Sequence, residues 1–150
     1  MTQEQQPFQK PTAVDRLFNA VFGFLVGLGV GLSHNYLLQV RGRKSGRVYS
    51  TPVDVLAHSG RRFLVAPRGY TQWVKNAQAS GRVTLKKGTH HDEFQLRAVP
   101  DRDKPELLKA YLDRFKLTVQ RYFPIPAGSP GEDFVSLASR YPVFEILPGR

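Results

Sequence analysis

The sequence contains no cysteine, and this absence excludes two kinds of chemistry. No disulfide bond can stabilise the fold, and no thiolate can serve as nucleophile, redox centre or metal ligand. Chains without disulfides are typical of reducing compartments. We therefore expect a cytoplasmic protein, and we keep a peripheral location at the cytoplasmic membrane open.

Histidine is scarce, and its spacing predicts no metal site. His90 and His91 are adjacent, so a strand would point them to opposite faces, while His34 and His58 are each isolated. The GxSxG, HExxH and P-loop patterns of serine hydrolases, zinc proteases and nucleotide-binding proteins are also missing. We therefore expect no bound metal and find no nucleophile–base pair.

Acidic side chains are outnumbered by basic ones. The chain has 12 Asp and Glu against 22 Lys and Arg, a net charge of +10. Such an excess favours polyanions, which include nucleic acid, anionic lipid and acidic cofactors. A length of 150 residues with 41% hydrophobic content fits one domain with its own core.

Charge of either sign is absent from Leu17 to Val40, a stretch about as long as a membrane span. Polar residues and four glycines interrupt it, so we expect a helix over about residues 13–31, a turn near His34 and a strand from Tyr36. A secretory signal or single-pass span is disfavoured. A helix that packs on the domain or rests on a membrane surface is favoured. We divide the chain into an N-terminal helical segment, residues 1–35, and a domain, residues 36–150.

Short β-prone runs separated by turn residues make up most of the domain. We predict strands at about residues 36–41, 48–57, 62–66, 82–86, 89–99 and 141–147. We predict helices between Thr71 and Gly81, over residues 100–123 and over residues 134–139. Short antiparallel strands interrupted by helices favour a small α+β barrel over a parallel βαβ sheet.

A basic turn, residues 41–47, joins the first two predicted strands. Two glycines there let backbone N–H groups approach an anion, and a serine hydroxyl and several cations add charge-assisted hydrogen bonds. The cations are Arg41, Arg43, Lys44 and Arg47. The alternative is a surface hairpin that basic residues keep soluble.

A second segment, "APRGYTQW", places Arg68, Gly69, Tyr70 and Trp73 in a loop that opens a helix. A helix N-terminus favours negative charge, so this geometry also suits an anion. The alternative is that Trp73 belongs to the core and Arg68 faces solvent.

Three segments in this order, "RGRKSGRVYSTPV", "FLVAPRGYTQWVKNAQASGRVTL" and "YPVFEIL", resemble the deazaflavin (F420)-dependent nitroreductase and quinone reductase family. The resemblance extends roughly from Tyr36 to Leu147. It implies a split β-barrel, mostly antiparallel and flavin-reductase-like, with flanking helices. It also implies an enzyme in which reduced F420 gives a hydride to a quinone, a nitroaromatic or a similar electrophile. The phosphodiester and oligoglutamate tail of F420 would suit the basic turn, and FMN is the less favoured cofactor.

The same resemblance assigns residues to the cofactor. Those of the turn and the strand after it are Gly42, Arg43, Lys44, Ser45, Gly46, Pro52 and Val53. Those of the second segment are Ala66, Pro67, Arg68, Gly69, Trp73 and Asn76. Family tyrosines near the substrate have no positional match here, so Tyr122 and Tyr141 are only candidate proton donors, and Phe134 is a ring that could assist.

Two alternatives remain, a non-catalytic F420-binding protein of the same fold and a basic module that binds nucleic acid or a membrane surface. The aromatic residues recur at core-like positions and form no stacking platform, so we expect no nucleic-acid partner. The expected partners are a small-molecule electron acceptor and a peripheral membrane contact. The oligomeric state is open, with a homodimer as one option.

Overall fold

The computed structural model describes residues 34–149, so the predicted helix over residues 13–31 lies outside them. The strands β1 to β6 are Asn35–Arg41, Val48–His58, Arg61–Val65, Arg82–Lys87, His90–Ala98 and Val143–Pro148. The helices α1 and α2 are Gln72–Ser80 and Lys104–Val119. Within residues 34–149 no helix is both long enough and apolar enough to cross a membrane.

The six strands close into one antiparallel barrel in the order β1-β2-β3-β6-β5-β4. Tight connections join β1 to β2 and β4 to β5, while β6 from the end of the chain inserts between β3 and β5. Pairing of Leu38 with Leu85 between β1 and β4 closes the ring. The predicted α+β barrel is therefore confirmed, and closure leaves no sheet edge exposed in it.

Alternate residues of the strands fill the barrel interior. Strand side chains point to opposite faces in turn, so a run such as Leu38-Gln39-Val40 sends both apolar residues inward. Ala77 of α1 joins this cluster, which places α1 against one end of the barrel. The other members are Val55, Leu64, Val83, Leu85 and Ile146.

A second core lies between the outer face of the barrel and α2. The helix contributes apolar residues at helical spacing, and the barrel contributes the outward residues of β2, β3 and β6. The helical members are Leu107, Leu108, Tyr111, Leu112, Phe115 and Val119.

The predicted helix over residues 100–123 is too long by a turn at each end. Asp101–Asp103 and Gln120–Tyr122 are 3-10 helices that flank α2. Pro105 lies at the start of α2, where its missing N–H is tolerated, and Phe115 departs from helical backbone angles near the other end. The helix predicted over residues 134–139 is likewise a 3-10 helix, Gly131–Arg140, packed against α2.

Candidate functional site

The basic turn has a geometry that requires its two glycines. Gly46 has a φ of +78°, in the left-handed region that favours glycine. At Gly42 a Cβ atom would lie 2.7 Å from the ring of Tyr49 and 2.9 Å from Oγ of Ser45. Backbone bonds close the turn, since the N–H of Gly42 donates to the carbonyl of Arg47 at 2.6 Å. The two glycines and these backbone bonds therefore contribute to the shape of the turn.

The basic turn is bound to α1, 30 residues further along the chain, through Arg43. Its backbone N–H donates to Oδ1 of Asn76 at 3.0 Å. Its guanidinium donates to the same oxygen at 2.8 Å and to Oε1 of Gln72 at 3.1 Å. Asn76 is buried, so these bonds form in a partly dehydrated place. The fold thus brings together the two segments that the sequence singled out.

Two polar side chains, those of Arg41 and Ser45, bond within the turn, whereas that of Lys44 is exposed. Arg41 donates to the carbonyl of Gly46 at 2.7 Å, and Oγ of Ser45 accepts from the N–H of Arg47 at 3.1 Å, so both side chains hold the turn itself. Lys44 is exposed at its tip. Lys44 is therefore a cation of the turn that a ligand can reach.

A glycine loop, residues 66–71, connects β3 to α1. The N–H of Ala66 donates to the carbonyl of Pro142 at 2.9 Å, which ties the loop to the start of β6. Gly69 has a φ of +86°, and its carbonyl accepts from the N–H of Thr71 at 2.9 Å. Arg68 is exposed on this loop, close in sequence to the N-terminus of α1.

Thr71 is the N-cap residue of α1, but its side chain does not cap the helix. The hydroxyl makes no capping bond to the first turn of the helix. Its Oγ1 is buried and has no hydrogen-bond partner within residues 34–149. The first turn of α1 also contains no acidic residue. Since buried polar atoms and helix N-terminal amides normally find partners, this position fits an anionic or polar group of a ligand.

The apolar residues assigned to the cofactor lie beside this region. Pro52 and Val53 are half-buried in β2, opposite Leu37 and Tyr36 of β1. Trp73 is half-buried and packs on Phe144, with the ring centroids 6.3 Å apart. Trp73 therefore has a packing role whether or not it also contacts a ligand.

The candidate tyrosines lie in the outer core. The Tyr141 hydroxyl donates to the carbonyl of Tyr122 at 2.6 Å, and its ring stacks on Phe123 at 4.5 Å. Burial raises the pKa of Tyr141 above its ordinary value. The expectation for Phe134 was wrong, because its side chain is fully buried and packs edge-on against Phe123, which makes it a core residue.

Sequence reasoning missed one polar cluster, at the start of β1. His34 Nδ1 lies 3.1 Å from Oδ1 of Asp54, and the Asn35 amide donates to the same carboxylate. The register that pairs Asn35 with Asp54 creates this contact across 20 residues. The sequence contains one signal of this cluster, since Asp54 is the only charged residue in the otherwise apolar run of residues 52–57 in β2. Among residues 34–149 no three potential metal ligands converge.

A cleft of about 650 Å³ lies at the other end of β2, around the β2–β3 turn. Its charged groups pair with one another. Arg61 donates two hydrogen bonds of 2.8 Å to Glu145, Arg97 contacts the same carboxylate, and His58 lies 2.9 Å from Glu106. The cleft contains none of the residues assigned to a cofactor.

Comparison with known proteins identifies the family and the fold. A model of the family described as F420H(2)-dependent quinone reductase matches residues 16–120. No curated protein matches the sequence significantly.

Solved structures resemble the chain at low sequence identity. The protein Atu2129 from Agrobacterium tumefaciens, of unknown function, has a TM-score of 0.57 and 14% identity, and the match covers 97% of this chain but 60% of that one. An F420-H2 dependent reductase, FDR-A, has a TM-score of 0.50 and 18% identity over 79% of this chain and 99% of its own. A FAD-binding protein from Mesorhizobium loti has a TM-score of 0.51 and 13% identity, over 87% and 90%. These likenesses establish the split-barrel fold.

Proposed function

The chain belongs to the F420H(2)-dependent quinone reductase family, and from this premise we propose that it binds F420 between the basic turn and the start of α1. We further propose that it reduces a quinone, a nitroaromatic or a similar electrophile. The observation that carries the proposal is the bond from Arg43 to Asn76, which fixes an anion-suited turn beside a helix N-terminus.

The residues present fit an anionic, ring-bearing cofactor. The exposed ammonium of Lys44 is available to a phosphate or carboxylate. Gly42 and Gly46 shape the turn that presents it, and their own N–H groups are bonded within the turn, to Arg47 and Gly42. The Thr71 hydroxyl, which has no partner among residues 34–149, offers a further hydrogen bond at the helix start. Bound F420 in its reduced form supplies the hydride, while the protein contributes binding, orientation and exclusion of water.

Several residues of the proposed site have positioning roles. Arg43 uses its backbone N–H and Nη1 on α1 and so holds Lys44 and the turn in place, while Nε and Nη2 take no part in these bonds. Ala66 and Gly69 shape the glycine loop, with Pro67 and Arg68 between them, and Pro52 and Val53 offer apolar surface on the neighbouring strand.

The finer parts of the proposal concern the acceptor, the location and the assembly. We propose a lipophilic quinone as one acceptor, consistent with the description of the family. We also propose a cytoplasmic protein that contacts the membrane through its N-terminal segment. We propose a homodimer as the assembly. The non-catalytic F420-binding protein and the basic nucleic-acid or membrane-surface module remain the competing functions.

Turnover tests the proposal and separates it from the alternatives. Purified protein mixed with reduced F420 and a panel of quinones and nitroaromatics should restore the absorbance of oxidised F420. Binding without turnover on any acceptor would indicate the non-catalytic protein. Affinity for DNA or RNA that falls steeply with salt, without F420 binding, would indicate the nucleic-acid module.

A further inference from the structure

We propose that His34, held by Asp54, donates the proton that completes reduction of the acceptor. The inference rests on the proposed function, because it assigns a residue to a step of that same reaction. A hydride carries two electrons and one hydrogen, so the reduced acceptor needs a proton as well. The geometry points to the cluster at the start of β1 as its source.

Asp54 fixes the orientation of the His34 ring. A carboxylate only accepts hydrogen bonds, so the 3.1 Å contact between Nδ1 and Oδ1 is a hydrogen bond when Nδ1 carries the hydrogen. The Asn35 amide nitrogen lies 3.3 Å from the same Nδ1, a longer contact that is not a hydrogen bond in this tautomer. The Asn35 amide donates to the same Oδ1 and holds the carboxylate in place. With Nδ1 committed to Asp54, Nε2 on the other edge of the ring is the atom that can exchange a proton with a substrate.

Packing supports the same orientation. The ring of His34 lies against Phe115 of α2 with the centroids 4.6 Å apart. The side chains of His34 and Asp54 are 18% and 16% exposed, which leaves the pair partly dehydrated and still reachable. A hydrogen bond gains strength in such a setting, which helps to hold the ring in place.

The pair is adjacent to residues proposed to hold the cofactor. Asp54 follows Pro52 and Val53 directly on β2. The last pair of β2 with β3 joins Val55 to Leu64. Continued by one residue, this register would bring Asp54 level with Val65, which directly precedes Ala66 and the glycine loop. Strands in a sheet are about 4.8 Å apart, so an acceptor bound near this loop lies within reach of the cluster.

The tyrosines are less suited to the task. Tyr141 commits its hydroxyl to the carbonyl of Tyr122, and both tyrosines belong to the outer core and not to the glycine loop. Tyr111 faces Asp54 but is buried, and burial raises its pKa strongly. The histidine is therefore the better donor near the loop.

The proposed step is balanced without another reactant. The hydride brings both electrons to the acceptor, and the Nε2–H bond of the imidazolium then breaks as an O–H bond forms on the acceptor. Oxidation of the cofactor releases one proton to solvent, and the neutral imidazole of His34 takes up one proton. The sum is oxidised cofactor and doubly reduced, doubly protonated quinone.

Kinetics of His34→Gln and Asp54→Asn test the proposal. General acid–base catalysis contributes about 10²- to 10⁴-fold, so His34→Gln should lower kcat by about 10²-fold or more with an unchanged F420 Kd. Asp54 is a positioning residue, and its substitution should also lower kcat. The loss should be largest for acceptors whose reduced anion is most basic, because those depend most on a proton donor. If His34 had a purely structural role, its substitution would lower kcat by the same factor with every acceptor.

His58→Gln is the matched control, since His58 also contacts a carboxylate, Glu106, at the far end of β2. It should leave kcat unchanged. Nitrogen NMR of the apo protein reports the position of the ring hydrogen without any turnover. We expect neutral His34 to carry its hydrogen on Nδ1 in the wild type. The Asp54→Asn variant should lose this preference. A hydrogen on Nε2 in the wild type, or wild-type kcat in His34→Gln, would overturn the assignment. A wild type that oxidises no reduced F420 with any acceptor would overturn the proposed function itself.

Discussion

At the scale of single residues, two neighbouring cations of the basic turn have different tasks. Arg43 donates three hydrogen bonds to α1, whereas Lys44 is exposed. Their charge alone would predict the same role for Arg43 and Lys44. The structure instead predicts that only substitution of Lys44 separates ligand affinity from stability.

Lys44→Ala should weaken F420 binding by roughly 10- to 150-fold, because a hydrogen bond to a charged group is worth about 1.5–3 kcal/mol. The loss should be larger at low salt, since screening weakens the native contact. The apo melting temperature should hold or rise slightly as repulsion within the turn falls. Lys116→Ala, an exposed cation of α2, is the control for net charge. Unchanged affinity with a lower melting temperature would make the turn a structural element.

At the scale of elements, the docking of the basic turn onto α1 decides the shape of the site. Two of the three hydrogen bonds from Arg43 use one acceptor, Oδ1 of the buried Asn76, and the third uses Oε1 of Gln72. Removal of that amide leaves the N–H of Arg43 without its partner. The turn and the helix would then move independently.

Asn76→Ala should accelerate hydrogen exchange at the amide of Arg43 and weaken F420 binding, with a loss of about 1–3 kcal/mol in unfolding free energy. Hydrogen–deuterium exchange resolved by residue measures the first effect, and chemical denaturation the second. Gln78→Ala, an exposed position of the same helix, is the control. Exchange that is unchanged at Arg43 would contradict the docking.

The carboxylate of Glu145 links β3, β5 and β6 at the cleft. Hydrogen bonds from Arg61, and then from Arg97, lower its pKa from an ordinary value of 4.5 to about 2. A lowered folded-state pKa contributes stability above pH 4.5, and this contribution is lost as the pH falls toward 2. The ion pair thus supports barrel closure at neutral pH.

Glu145→Gln should reduce stability at pH 7 by about 1–3 kcal/mol. The difference from wild type should shrink as the pH falls, because the wild-type carboxyl then becomes neutral as well. Melting temperatures across this pH range measure it, with the exposed Glu132→Gln as control. A difference that is constant with pH would mean that shape, not charge, is responsible.

The elements show what sequence patterns can and cannot predict. Alternation and turn residues gave strand bounds within about two residues, and Thr71 and Gly81 bounded α1 correctly. The ends of α2 were missed because amphipathic spacing continues into 3-10 turns. The contacts of Arg43 with Asn76 and of His34 with Asp54 depend on tertiary register, which no local pattern contains.

At the scale of the whole molecule, the charge of +10 and the apolar stretch before His34 suggest a membrane contact. The barrel described by residues 34–149 carries the proposed cofactor residues by itself. The N-terminal segment would then serve location more than binding.

Deletion of residues 1–30 should reduce sedimentation with anionic liposomes and leave F420 affinity largely intact. Basic and apolar groups together bind such surfaces, so the effect should weaken with neutral lipid. Equal partitioning of the two proteins would reject the membrane role. Lost F420 binding would show that the segment is part of the site.

Equilibrium titration of the purified chain with F420, and in parallel with FMN, tests the central claim most directly. The account predicts saturable F420 binding with a spectral change, affinity that falls with salt, and weaker binding of FMN, which lacks the oligoglutamate tail. Absence of F420 binding by the folded protein, or tighter binding of FMN, would contradict it.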